Sequence, residues 1–550
     1  MKYQQPNQIF ENLDRPKLSF SGFDLSHRHT TTFDLGQVIP IGLLEVIPND
    51  RWDLGASTVL RFQPMVAPIL HPVKLKIQAW FIPNRLLMSA AAGAGSWEEF
   101  ITGGEDGTTV AALPLFDAAI YPSPSGAADK GSLWDRFGCN PLFDASATNV
   151  ADQVKPIVFP WRAYSKLWND WFRVPGIQSE IDIFGTGIFV RPFYENWPRD
   201  YFTSALPFLQ RGVSPSLPVL GNLTGTFAIP GVDKSVWNPD DVSVWVYGGG
   251  ADNHLGFAAG APGELANATA NFNQALTDGN TISANLSTVD TKQIRLAFLY
   301  QAFLERMARG GARYAEMLPN IWGARPLDER LNRVEFIGGF TAPWITSEVL
   351  QTSPQTDNGP SGDTTPQGTM AGHGINLGSG NIGRYTVSEH GFIMITACAY
   401  PDSMYQQGMP RSLLRRTREE FPSPSFAGLS EQEIFNAELY NQTVVGDPTG
   451  SIGRTPFGYT GRYNEMRYQP SMVSSEMRDV FEYWHLGRKF TSLPALNNSF
   501  VNMVGSDNSQ NFKRIFAVQN VPGIIGAFGI KALVRRVMPF MAVPAQLGGA

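Results

Sequence analysis

Seven histidines are the first residues able to do chemistry: His27, His29, His71, His254, His373, His390 and His485. In the run SHRH, His27 and His29 would share one face of a strand and could present two imidazoles to a metal. No carboxylate or thiol follows at ligand spacing, so the pair predicts no metal centre. GGGAD at Gly248 lacks the Lys and Ser/Thr of a phosphate-binding loop, and neither it nor GSG at Gly378 opens an obvious helix, so both read as turns. GxSxG, HExxH and CxxC do not occur, and nothing calls for a cofactor. The thiols of Cys139 and Cys398 are too few for a disulfide framework or a four-thiolate site, and Cys398 in FIMITACAY reads as buried.

Carboxylate pairs and tryptophans leave room for a sugar-cleaving or sugar-binding sandwich, which needs two facing carboxylates and aromatic platforms. Glu98 with Glu99 and Asp240 with Asp241 are adjacent, so on a strand each pair splits between opposite faces and makes no acid/base couple. Trp161, Trp168 and Trp171 could form a platform, although aromatic residues at helical spacing usually pack inward. Catalysis is therefore not expected. Cations are more informative. From Asn508 to the C-terminus there is no Asp or Glu, while Lys513, Arg514, Lys531, Arg535 and Arg536 lie among Phe512, Phe516 and Phe528. Arg411, Arg415, Arg416 and Arg418 form a second cluster, offset by Glu419 and Glu420. Mixed basic and aromatic residues can hold single-stranded nucleic acid by phosphate contact and base stacking, so these nine cations are the candidate DNA contacts.

The elements that must position these residues read as mainly strands. The chain has 550 residues, 54 of them Gly and 40 Pro, which favours turns and short strands over long helices. Only 17% are charged against 43% hydrophobic, so a disordered or coiled-coil chain is excluded and much covered surface is expected. A net charge of −6 gives no global attraction for a polyanion, and any nucleic-acid contact must be local. In VKLKIQAWFI, Val73, Leu75, Ile77, Ala79 and Phe81 alternate with Lys74, Lys76 and Gln78, predicting a strand with one wet face. Further strands are expected over Val334–Phe340, Phe392–Tyr400, Arg514–Val518 and Ile530–Val537. Three helices are expected as insertions. One begins at Pro160 and carries Trp161, Tyr164, Trp168 and Trp171, one spans Thr291 to Arg309, and one follows a capping box formed by Ser430 and Glu433.

Residues 205–290, rich in Gly, Ala, Asn, Ser and Thr, read as an exposed insertion, and residues 351–383 as a polar surface loop. The N-terminal run MKYQQPNQIFENLDRP has no apolar core for a signal peptide, and no stretch is long and apolar enough to span a membrane, so assembly in a cytoplasm is expected.

Several segments resemble one family. FDLSHRHTTTFDLGQVIPI, RDYFTSALP, LERMARGGARYAEMLPNIWG, RPLDERLNRVEFIGG, MRYQPSMVSSEMRD, FEYWHLGRKF and PALNNSF occur in the order found in the major capsid protein of the Microviridae, most like the gokushovirus-type branch. The resemblance covers the chain except its two polar regions. It implies one domain over residues 1–550, an eight-stranded antiparallel jelly roll with long insertions. Sixty copies would close a T=1 shell around circular single-stranded DNA. It further implies an internal scaffolding protein, a small basic DNA-binding protein, a pilot protein and a host surface receptor as partners, with 205–290 forming a surface protrusion at threefold axes. The other classes that composition leaves open are a β-sandwich carbohydrate-active enzyme and a carbohydrate-binding module, neither of which explains the ordered segments.

Overall fold

The strands that carry the alternating patterns pair into two antiparallel sheets. In the computed structural model the described residues are 20–88, 95–104, 112–116, 129–139, 155–213, 221–226, 281–286, 291–310, 313–323, 327–350, 352, 356–357, 364–365, 367–428, 431–441, 452–503 and 512–540. The sandwich strands begin with β1 (Ser21–Asp24), β2 (His27–Phe33), β3 (Ile39–Val46), β4 (Arg51–Phe62) and β5 (Val73–Pro83). Two short strands, β6 (Gly221–Thr226) and β7 (Thr281–Leu286), pair with each other. They are followed by β8 (Glu335–Pro343) and β9 (Ile345–Leu350), the two-residue pair β10 (Thr356–Asp357) and β11 (Thr364–Thr365), then β12 (Met370–Thr386) and β13 (Gly391–Pro401). A small hairpin, β14 (Gln432–Phe435) with β15 (Pro456–Thr460), precedes the last strand, β16 (Ile524–Arg536).

One sheet runs β2–β16–β4–β12 and the other β3–β13–β5–β8, with β1 continuing the β2 edge of β16 and β9 added beyond β12. These eight long strands form the jelly roll. The closing pairing sets the C-terminal β16 against β4 from Ile524↔Phe62 to Arg535↔Arg51, which is why strand signals lie at both chain ends. Even-numbered residues of β4 and β16, from Trp52 to Phe62 and from Ile524 to Val534, point inward. Odd-numbered residues of β5 do the same, and all meet in one core that includes Phe33, Ile41, Ile393 and Ile395. The chain crosses between sheets at Trp344, whose ring stacks on Phe62 at 4.1 Å.

The outer face of the four-stranded sheet is covered, contrary to the wet face expected for β5. Trp80, Ile82, Met394 and Cys398 pack under an insertion that contributes Phe116, Trp134, Trp161, Tyr164 and Trp168. Lys76 on this face is paired with Glu195; burial pulls the lysine's pKa down, but the charge and hydrogen bond of Glu195, with Cys398 and Tyr400, together leave it raised. The expected aromatic helix spans Phe159–Leu167 and continues as a wider π-helical turn, Trp168–Phe172. Glu98 and Glu99 lie in a helix, Trp97–Thr102, rather than a strand, with Glu99 completing a capping box with Ser96.

Three other expectations are corrected. The loop expected over 351–383 is strand from Met370 onward, and GSG at Gly378 lies inside β12, where missing side chains let β8 approach. Instead of a strand over Arg514–Val518 there is a helical turn, Phe512–Ile515, because Phe512, Ile515 and Phe516 are buried at a spacing of three and four residues. The helix expected over IFNAELY after Ser430 is cut to one 3-10 turn, Asn436–Glu438, because the residues before it form β14, which finds a partner in β15 too distant in sequence for a local pattern to reveal; Ser430 itself lies outside the described residues.

The chain divides into two compact units, residues 1–209 with 308–550 and residues 210–307. The second holds the β6–β7 hairpin and nearly all of the helix Thr291–Gly310, which spans the expected range. Most of the 205–290 insertion, including GGGAD, lies outside the described residues.

Candidate nucleic-acid interface

Nine cations were expected at DNA, and the structure divides them by what holds each side chain. Arg411 is almost wholly buried, pairs with Glu438 at 2.8 Å and lies over the Phe435 ring. Burial pushes the Glu438 carboxyl above the usual range even with Arg411 beside it. Arg415 pairs with Glu465 at 3.3 Å. Both arginines line a hollow with Tyr201, Tyr405 and Met466 and are spent on local structure. Arg514 donates to the carbonyls of Glu482, His485 and Gly487 at 2.8 to 3.0 Å, fastening that loop. Lys513 pairs with Asp34 at 3.6 Å. Arg536 grips the fully buried carboxylate of Asp50. In all five the charged head faces a carboxylate or carbonyl of the same chain, so these side chains act as structural ties here. The stacking aromatics expected beside them, Phe512, Phe516 and Phe528, are 7%, 2% and 0% exposed and belong to the core.

Arg416 and Arg418 are exposed, next to Glu419 and to Glu420, which is itself paired with Arg454. Lys531 and Arg535 are exposed on β16, at odd positions pointing away from the core. Lys531 meets Asp53 at 3.1 Å in an open, solvent-screened pair.

Strand register brings further cations to the face that holds Lys531 and Arg535. Arg535 lies opposite Arg51, which is opposite Thr386. Leu533 lies opposite Asp53, which is opposite Arg384. Lys531, Gly55 and Asn381 form the next row. Arg28, opposite Gly529, stands one outward row beyond Lys531, and Arg61, opposite Ile375, lies at the other end. All six cations are exposed, and the outward strand positions set only Asp24 and Asp53 against them, a net +4 on a chain of −6. Between the cations lie small residues, Gly55, Ser57, Ala527 and Gly529, and aliphatic ones, Val59 and Leu377. The basic end opens into a hollow of about 760 Å³ lined in part by Arg51, Arg384 and Arg535. Sequence reasoning missed Arg28, Arg51, Arg61 and Arg384. Each stands alone in its local sequence, and only the pairing of β2, β4, β12 and β16 gathers them.

Among the described residues the histidine and tryptophan groups assemble no other site. His27 and His29 share the face opposite Arg28, and His29 Nδ1 is engaged with the Ile41 carbonyl at 2.8 Å. Among the described residues no group of three or more His, Cys, Asp or Glu could hold a metal ion. Trp161 and Trp168 are buried, and Trp171 donates its indole N–H to the Val334 carbonyl at 2.7 Å, so they form no sugar platform. No helix among the described residues is long and apolar enough to cross a membrane.

Comparison with known proteins covers both sheets. The family described as Capsid protein (F protein) matches residues 14–546. The chain is 30% identical to capsid protein VP1 of Bdellovibrio phage phiMH2K over 546 residues, covering 96% of each. It is 28% identical to capsid protein VP1 of Chlamydia phage 1, covering 97% of each, and 26% identical to that of Spiroplasma virus 4, covering 95% of each.

Proposed function

The chain belongs to the Capsid protein (F protein) family, a structural rather than catalytic class, and from that premise we propose that it is the repeating subunit of a T=1 icosahedral shell. Sixty copies enclose a circular single-stranded DNA genome, assembling in the bacterial host's cytoplasm and persisting in the virion. The observation that carries this reading is the match over residues 14–546, which takes in both sheets and the insertions between them. A subunit of this kind works by burying surface against neighbours, with symmetry repeating each modest contact around a closed particle. Exposed Leu296, Phe298, Leu299, Tyr300 and Phe303 support such burial, because a single soluble chain gains nothing from showing them to water.

Sixty chains at −6 carry about −360 in all, so the coat does not neutralise a genome globally. That supports a separate small basic DNA-binding protein as partner, with an internal scaffolding protein and a pilot protein completing assembly. The 205–290 insertion serves as a surface protrusion that contributes to attachment at a host receptor. The decisive measurement is native particle mass by light scattering, with electron microscopy of the same sample before and after nuclease. Sixty copies of 60.5 kDa give about 3.6 MDa of protein. Round shells protecting single-stranded DNA are expected; small species from native material would overturn the reading. Particles lacking 215–285 should assemble and adsorb poorly, whereas failure to assemble would make the insertion structural.

A further inference from the structure

The geometry points to the bare face of the β2–β16–β4–β12 sheet as a binding site for single-stranded nucleic acid that reads phosphates and ignores base identity. The two sheets differ in a way that composition conceals. The four-stranded sheet is roofed by the aromatic insertion around Trp161, while the six-stranded sheet keeps exposed residues at its outward strand positions. Uncovered among the described residues, that face collects a net +4 on a chain that is otherwise acidic, so its attraction is local and for a polyanion.

Its layout suits a flexible strand. Neighbouring strands lie about 4.8 Å apart and successive outward residues about 6.6 Å, so Arg51, Arg384, Lys531 and Arg535 occupy a patch roughly 10 by 13 Å. The patch borders an open hollow into which a bending single strand can dip. Arg61 lies ten residues along β4 from Arg51, about 33 Å away, and Arg28, opposite Gly529 and near Lys531, stands between the two and extends the basic path. The floor between is low, because a side chain at Gly529 would strike Ser57 Oγ at 2.6 Å and one at Gly55 would crowd the Gly380 carbonyl at 3.2 Å.

Recognition by base stacking is not built in. No Phe, Tyr or Trp stands at an outward strand position of this sheet, and the aromatic ring beside the patch, Phe20 just before β1, is occupied by the Arg51 guanidinium 5.1 Å from its centre. Aliphatic Val59 and Leu377 can rest against any base, and the long guanidinium stems reach phosphates without regard to sequence. Aromatic-poor, cation-ringed and smooth, the face fits a packaging contact better than a sequence reader. The inference rests on the shell reading for its ligand, since an enclosed genome is what this face would meet.

The test uses the full-length chain with fluorescent oligo(dT), oligo(dA) and mixed-sequence strands of equal length. Affinity should agree across the three within about twofold, and its logarithm should fall with log salt at a slope of about −2 to −3, corresponding to three or four phosphates. Inorganic polyphosphate should compete. The triple variant R51E/R384E/R535E should bind roughly tenfold or more weakly and flatten the slope, while R416E/R418E binds as the parent does. Should the triple variant fail to fold, photocrosslinks from thio-substituted oligo(dT) to the unmodified chain decide the matter. Crosslinks on β4, β12 and β16 sustain the inference; crosslinks confined to other segments overturn it, as would strong preference for one base. Native particles that protect DNA while crosslinking elsewhere would leave the shell reading standing and remove this face. Binding here by a chain whose native form is never particulate would do the reverse.

Discussion

Arg535 and Arg536 are adjacent in sequence and lie on opposite faces of β16. Arg535 ends among the outward cations, whereas Arg536 donates to both oxygens of Asp50 at 2.8 to 3.2 Å and to the Glu45 carbonyl at 3.0 Å. The Asp50 side chain is 0% exposed, so losing the arginine strands a buried carboxylate. Arg536→Ala should therefore lower unfolding free energy by about 3 kcal/mol in urea denaturation, and Arg535→Ala by no more than about 0.5 kcal/mol. Equal effects would show that the two residues do not divide in this way. A second residue-scale expectation concerns acid. His71 is 3% exposed, and its Nε2 lies 2.7 Å from the Asp402 carbonyl, which can only accept, so Nε2 carries the proton. Its Nδ1 is buried without a partner. Burial lowers the His71 pKa below 6.5, with His485 and Arg514 adding to the effect and Asp402, itself paired with Lys74, opposing it. Because the folded pKa lies below the unfolded one, the unfolded chain takes the proton first as pH falls. Stability held above about pH 6.5 is then lost on acidification through the folded pKa. Melting temperature should drop between pH 7 and pH 5, and less steeply in His71→Gln; identical slopes would remove His71 from the acid response.

At the scale of elements, β12 shows what glycine in a strand can mean. A side chain on Gly380 would meet the Phe340 ring at 2.5 Å, and one on Gly374 would meet Phe62 at 2.2 Å and the Trp344 indole nitrogen at 2.8 Å. The glycines let β12 lie close under β8 and the sheet-crossing corner. Gly380→Val should cost about 2 kcal/mol or more through overpacking, while Ser379→Val, at the exposed position beside it, should change stability by less than about 0.5 kcal/mol; thermal unfolding of the two variants separates them. The same strand marks the limit of reading elements from sequence. β5, β8 and the second half of β16 were legible because apolar residues alternate there with period two, and β13 because FIMITACAY is a continuous apolar run. β12 was not, because glycine removes the apolar signal and resembles a turn. Arg514–Val518 misleads in the opposite sense, because its apolar residues read as a strand while burial of Phe512, Ile515 and Phe516 at helical spacing makes a turn. The candidate site was half visible for a related reason. Lys531 and Arg535 stand in a charge-biased tail, but Arg28, Arg51, Arg61 and Arg384 are unremarkable until hydrogen-bond register aligns four strands from distant parts of the chain.

For the whole molecule, the decisive imbalance is between surface that one chain covers and surface that it leaves bare. The insertion over the four-stranded sheet satisfies one layer within the chain, so association must use other surfaces. On the helix Thr291–Gly310, Leu296, Leu299, Tyr300 and Phe303 recur at three- and four-residue spacing and are 65%, 70%, 50% and 42% exposed. An amphipathic stripe of this width normally faces a core. Left in water it makes the chain prone to associate, and a closed symmetric particle is the arrangement that removes it from water in every copy at once. Because these side chains are already exposed in the single chain, replacing them costs little folding energy, whereas charge in a buried contact between copies is severely penalised. Leu299→Glu with Phe303→Glu should therefore leave the melting temperature of the unassembled chain within a few degrees of the parent. The same pair of changes should abolish particles in light scattering and electron microscopy, even when the assembly partners are supplied. Normal particles from that variant would place the stripe outside every contact between copies and shift the burden of assembly to other surfaces of the chain.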